Sequence, residues 1–238
     1  MTATPDLVAI HQPNFFPWLG YFDKIDRADR FIVLDNAQFS KSGGTWSNRV
    51  RLLAGGQPLW ATMPVVRGYH GVRQIRDMQI DTSSPWRRKF LQTLRTNYSR
   101  APFFDTLFPF VSELVQHPTA SLLEFNLRAI TAICELVGID TSKLVLGSSL
   151  PVSGQATELL ISSVQAVGGQ AYFCGGGAEG YQEDRKFHDA GLRLHYQNFQ
   201  HPVYPQVSRG EFVPGLSCID ALMCCGPERF RPLLSGPR

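Results

Sequence analysis

Leu7-Val8-Ala9-Ile10-His11-Gln12-Pro13-Asn14-Phe15-Phe16-Pro17-Trp18-Leu19-Gly20-Tyr21-Phe22-Asp23-Lys24-Ile25 is the stretch whose reading decides the fold. Leu7 to Ile10 is a continuous apolar run of strand length, as expected of a strand buried on both faces. Trp18 to Arg27 has helical spacing, with Leu19, Phe22 and Ile25 apolar and Asp23, Lys24 and Asp26 polar. A second apolar run, Phe31 to Leu34, follows at once. Strand, loop, helix and strand in so few residues make a βαβ unit, so the sheet should be parallel there. In open parallel sheets, ligands bind beyond the carboxyl ends of the strands. His11, Gln12 and Asn14 stand at one such end, and Asp35, Asn36 and Gln38 at the next. These two ends are the candidate site. The plainer alternative is that Pro13 and Pro17 shape a turn and His11 only closes a strand.

Outward from this unit, Asp35 to Arg49 is a polar loop with two adjacent glycines, Gly43 and Gly44. It carries Lys41, Trp46, Asn48 and Arg49, a set that suits a substrate clamp as well as a surface connection. Lys41 and Arg49 fit a carboxylate or phosphate, and Trp46 fits a sugar face or a base. Because glycine-containing backbone is costly to order, the loop from Ser40 to Arg49 is expected to close over His11 only when substrate is present. Leu59 to Val66 reads as a strand edged by Pro64, and Val72 to Ile80 as another, with a turn at Arg67 to Gly71 between them.

The middle of the chain changes character. Ser84 and Pro85 open a helix to Tyr98, Phe103 to Val115 is aromatic-rich, and Ser121 to Val137 carries a wide apolar stripe. Ser121 and Glu124 fit a capping box, and Gly138 a stop. The βα rhythm then returns: strand 143–147 ending at Ser148, helix 157–167, strand 170–174 followed by Gly175-Gly176-Gly177, helix 180–189, strand 192–196, and a last helix from Ser217. Residues 232–238 look frayed. The expectation is α/β: a Rossmann-like open parallel sheet, one domain over 1–238, with a helical subdomain at 84–139 inserted into it.

Composition excludes several classes. The 238 residues balance 23 Lys and Arg against 20 Asp and Glu, a net +3 that is too weak to argue for nucleic acid. Trp86-Arg87-Arg88-Lys89 with Arg95 is a local basic patch, of the kind that usually forms a solvated helix face. No apolar run reaches membrane-spanning length, and residues 1–6 lack the features of a secretory signal. Five cysteines in no zinc pattern are expected to be reduced thiols in a cytoplasm. No metal and no cofactor are expected. The glycine run after Cys174 lets backbone N–H groups approach an anion, but its spacing is neither a P-loop nor a dinucleotide fingerprint. Cys174 has two readings, a nucleophile with His11 as base or a small residue at a strand end. Ser217 and Asp220 read as a helix cap with an acid in the first turn, or as holders of a substrate hydroxyl or amine.

His11 to Phe22 followed by Asp35-Asn36-Ala37-Gln38-Phe39 resembles the opening of the WbqC-like family. The likeness continues through Asn48-Arg49, Trp60 to Val65, Trp86, Tyr98, Tyr172 to Gly176, Tyr181, Phe212 to Pro214, and Ser217 through Asp220, nearly the whole chain. The resemblance implies a cytoplasmic bacterial protein of surface-polysaccharide or natural-product biosynthesis. Members of that family often have Ser where Cys174 stands, which argues against an obligatory nucleophile there. The opening is also distantly similar to HxGH nucleotidyltransferases, but Gly20 is followed by Tyr21 rather than by His.

The expected function is a biosynthetic transferase, with acyl or aminoacyl transfer to an amine of a sugar or natural-product intermediate preferred. His11 would act as base or oxyanion partner, Asp220 would orient the amine or hydroxyl, and Gln12, Asn14, Asn48 and Arg49 would hold the substrate. Asp35, Gln38, Lys41, Ser148, Cys174, Gly175, Tyr181 and Ser217 complete the candidate binding set. The alternatives are ATP-dependent adenylate or nucleotidyl transfer in the same pocket, and a non-catalytic scaffold that reads a pathway partner through Lys41, Trp46, Arg87 and Arg88. The expected partner is a small molecule, carrier-bound or sugar-linked, with no nucleic acid or membrane and with a homodimer as one arrangement.

Overall fold

The computed structural model describes residues 6–41, 45–175, 183–208 and 210–235. Within them the opening βαβ unit forms as β1 (Leu7–His11), α1 (Leu19–Arg27) and β2 (Arg30–Val33). Further strands are β3 (Arg49–Ala54), β4 (Gln57–Thr62), β5 (Leu144–Leu146), β6 (Ala171–Cys174) and β7 (Arg193–Tyr196). The other helices are α2 (Trp86–Tyr98), α3 (Phe104–Gln116), α4 (Leu122–Leu136), α5 (Ala156–Ala166), α6 (Asp184–Asp189), α7 (Cys218–Cys225) and α8 (Pro227–Leu234).

Five of these strands make one all-parallel sheet in the order β5-β2-β1-β6-β7. Its side chains alternate between two apolar layers. Ala9, Phe31, Val33 and Phe173 face the larger core with α1, α4, α7 and α8, whereas Val8, Ile10, Ile32 and Tyr172 face a smaller one with α5 and α6. Helices on both faces are what unbroken apolar strands demand, and the result is a Rossmann-like α/β fold. From β1 the chain moves outward through β2 to β5, then returns to place β6 on the other flank of β1. The order therefore reverses between β1 and β6, and this topological switch point is where such sheets open a crevice.

The Pro13–Trp18 loop is anchored rather than free. Phe15 and Phe16 are buried among Phe90 of α2 and Phe125 of α4, with ring centroids 5.2 to 6.0 Å apart. Burying each ring contributes about 2 to 3 kcal/mol. Phe16 accepts a φ of 41° to do so, a conformation that costs a bulky residue free energy. Asn126 of α4, fully buried, donates from Nδ2 to the carbonyls of Pro13 (2.9 Å) and Ser47 (2.7 Å). Helices α2 and α4 thus hold the loop that follows β1. Gly20 is needed because a Cβ there would lie 2.1 Å from the Trp18 ring, which folds back over the start of α1.

Several elements differ from the sequence expectation. Arg49 starts a strand instead of ending a loop: β3 and β4 form an antiparallel hairpin around Gly55 and Gly56, whose φ values of 57° and 80° match a type I′ turn. Val72 to Ile80 is not a strand. Its buried residues, Ile75, Met78 and Ile80, are spaced three and then two apart, and the segment forms a short 3₁₀ turn with isolated bridges to Gln38, Val65 and Ser121. Ser84 does not cap α2; Pro85 takes that place. The capping box of α4 is half present. Ser121 Oγ accepts from Glu124 N (3.2 Å), but the Glu124 carboxylate accepts from Thr119 Oγ1 (2.6 Å), and Thr119 Oγ1 in turn accepts from Ser121 N (3.0 Å). Of the stretch 232–238 expected to fray, the part up to Leu234 is helical, because Phe230 and Leu234, one turn apart, are buried and Phe230 packs on Phe22 at 5.4 Å; residues 236–238 lie outside the described residues. The expected helix 180–189 falls partly outside the described residues, and α6 is its described part.

Candidate functional site

At the switch point lies a cleft of about 670 Å³. It is lined by Ile10, His11 and Gln12 from the end of β1, by Gly175 after β6, by Trp18 at the start of α1 with Gly20, Tyr21 and Lys24 of that helix, and by Gln197 to Gln200 after β7. Gln197 is fixed there by donating from Nε2 to Gly20 O (2.6 Å) and to the Asp23 carboxylate (2.7 Å).

His11 is the last residue of β1, and its ring meets the edge of Tyr21 at 4.9 Å. Nδ1 stands 3.2 Å from Gln12 O, so this nitrogen carries the proton and donates it to the carbonyl. Nε2 then holds a lone pair, with no hydrogen-bond partner among the described residues. Burial and the nearby Lys24 charge push the His11 pKa down to about 3, against a smaller opposing effect of the Gln12 carbonyl. The imidazole is therefore neutral at physiological pH.

Lys24 is the residue that sequence reading missed. Its place on α1 reads as a solvent position, yet it is only 4% exposed, because α1 is covered on nearly every side. Among the described residues its ammonium has no hydrogen bond or ion pair, although it lines the cleft. Burial lowers its pKa to about 8, with the nearby Cys174 and Asp23 pulling the other way. The available signal was the short βαβ crossover, which leaves α1 little solvent-facing surface.

Other predicted site residues are brought elsewhere. Asp35 is fully enclosed and accepts from Ser148 N (2.8 Å) and Ser148 Oγ (2.6 Å), tying β2 to the turn after β5. Ser217 caps α7 by accepting from Ile219 N (3.2 Å) and donates to Phe16 O (2.9 Å), which pins α7 to the Pro13–Trp18 loop. Asp220 lies inside the protein, where its Oδ2 accepts from Tyr204 (2.7 Å) and Gln206 (3.1 Å). Burial raises its pKa, against the hydrogen bonds from Tyr204, Tyr98 and Gln206. None of these three lines the cleft. Asn14 is buried and is not among the residues that line it, and Asn48 is spent in a turn, accepting from Thr45 N (3.1 Å) and donating to Met63 O (3.0 Å). Gln38 is exposed and bridges Gln74.

The clamp residues have local partners too. Lys41 donates to Tyr69 O (3.1 Å), and Arg49 lies over the Trp60 ring at 4.3 Å with no ion pair to Asp35. Residues 42–44 and Tyr181 lie outside the described residues. Cys174 is buried and its thiol donates to His195 O (3.4 Å), which orients Sγ along the sheet. Arg87 donates to the carbonyls of Val115, His117 and Thr119, so part of the basic patch satisfies the end of α3. Among the described residues there is no metal-type cluster, and no helix is long and apolar enough to cross a membrane. No cysteine forms a disulfide.

The WbqC-like protein family model matches residues 12–232. An uncharacterized protein of Mycobacterium tuberculosis is 35% identical over 228 residues, which is 93% of this chain and 94% of that protein. No solved structure matches the chain.

Proposed function

The chain belongs to the WbqC-like family, and on that premise we propose that it is a biosynthetic transferase working in the cleft between β1 and β6. The reaction that suits the cleft is acyl or aminoacyl transfer to an amine of a sugar or natural-product intermediate. One observation carries the reading: a neutral His11, with Nδ1 committed to Gln12 O, leaves a lone pair on Nε2 at the cleft. An acceptor amine would donate a hydrogen bond to Nε2. As its nitrogen attacks the acyl carbon it becomes positive and gives up a proton, which Nε2 is placed to accept. The acyl bond to the leaving group then breaks, the leaving group departs with the bonding pair, and the proton on Nε2 passes to it, which returns His11 to its neutral form. Gln12 and Gln200, amide side chains that both line the cleft, supply donors and acceptors for the neutral parts of the substrate.

The test is His11→Ala in the intact pathway. Loss of product with retained fold supports the reading, and unchanged product formation removes His11 from the chemistry.

A further inference from the structure

We propose that Lys24 is the receptor for a carboxylate carried by the substrate, a group that anchors the molecule and does not itself react. The inference rests on the reading of the β1/β6 cleft as the substrate site.

Burying an ammonium without a partner is costly, and proteins ordinarily pair such a charge. Among the described residues nothing pairs it. The Asp23 carboxylate is engaged by Arg27 (3.3 Å) and Gln197 (2.7 Å), and the Cys174 thiol points its proton at His195 O. Next to the ammonium the chain has Gly175: even a Cβ there would lie 3.5 Å from Nζ. The ammonium's three donors therefore have space in front of them and no acceptor among the described residues. A ligand anion supplies what is missing.

Charge selects its class. Among the described residues, the other polar groups around the cleft, His11, Gln12, Gln197, Asn198 and Gln200, carry no net charge, His11 because it is held neutral. One cation among amides matches a group with a single negative charge; a polyphosphate would bring several. The apolar lining at Ile10, Leu34 and Leu160 fits the body of a small organic acid.

The experiment uses the full chain labelled with ¹³C at lysine Cε, the Lys24 resonance being assigned by its absence in Lys24→Met. Acetate and N-acetylglycine are titrated against chloride at equal ionic strength, and pyrophosphate is run in parallel. The expected result is a saturable shift of the Lys24 signal with carboxylates, and a rise of its titration midpoint from about 8 by about one unit or more. Lys24→Met should fold, since it replaces a buried cation with an apolar chain of similar length, and its thermal stability should not respond to carboxylate. No shift beyond the chloride control, or stronger binding of pyrophosphate, overturns the proposal. The two readings separate cleanly. A silent Lys24 in a protein that still makes product overturns the anchor and leaves transfer standing. A normal shift in a His11→Ala variant that still makes product supports the anchor and overturns the role of His11.

Discussion

Two polar clusters stand on neighbouring strand ends of one sheet, and they behave oppositely. At the end of β2, Asp35 meets Ser148 through two hydrogen bonds from that one residue and is sealed from solvent. At the ends of β1 and β6, His11 is half-buried and Lys24, on the adjoining α1, is buried, yet Nε2 and Nζ have no partner among the described residues. The first cluster spends its hydrogen-bonding capacity on the fold; the second keeps it. Burial alone does not separate a structural polar group from a functional one. Unmet capacity facing a cavity does, because an enclosed donor or acceptor without a partner costs stability that something else must recover.

The comparison can be broken most directly at Asp35. Asp35→Ala should lower stability by about 4 kcal/mol, since it removes two charge-assisted bonds and leaves the Ser148 groups short of an acceptor. Urea denaturation would measure it, and the loss should be independent of any cleft ligand. A change below about 1 kcal/mol would place the Asp35 pair outside the structural class.

Lys24 should show the opposite sign, and pH should reveal it. Its pKa falls from 10.5 when unfolded to about 8 when folded. Below pH 8 both states hold the proton and the full penalty of burying the charge is present. Between 8 and 10.5 the unfolded chain binds more protons than the folded one, so stability rises with pH. Lys24→Met should accordingly be more stable than the parent by about 3 kcal/mol below pH 8, with the advantage fading by pH 10.5. An advantage that does not vary over this window would mean that Lys24 is not buried as a cation.

Arg49 sharpens the boundary between the clusters with the smallest effect. Its stacking on Trp60 is partly exposed, so Arg49→Ala should cost about 1 kcal/mol or less in thermal denaturation. A substrate-dependent loss much larger than this would restore it to a clamp.

The periodicity of residues 7–34 and the returning βα rhythm after 143 sufficed for the parallel sheet, and the polar strand ends sufficed to mark its carboxyl edge. His11, Gln12 and Gly175 were legible for that reason: each immediately follows or ends an apolar strand. The β3–β4 hairpin was also within reach, in Gly55-Gly56. What sequence spacing could not decide was which polar side chains find each other. Asp35 with Ser148, and Ser217 with Phe16, join residues 113 and 201 positions apart, and only the tertiary packing brings them together. Lys24 is the converse case. A lysine among apolar helix residues reads as a solvent position until neighbouring elements close over it, and whether a buried charge is paired is a property of the surrounding three-dimensional arrangement.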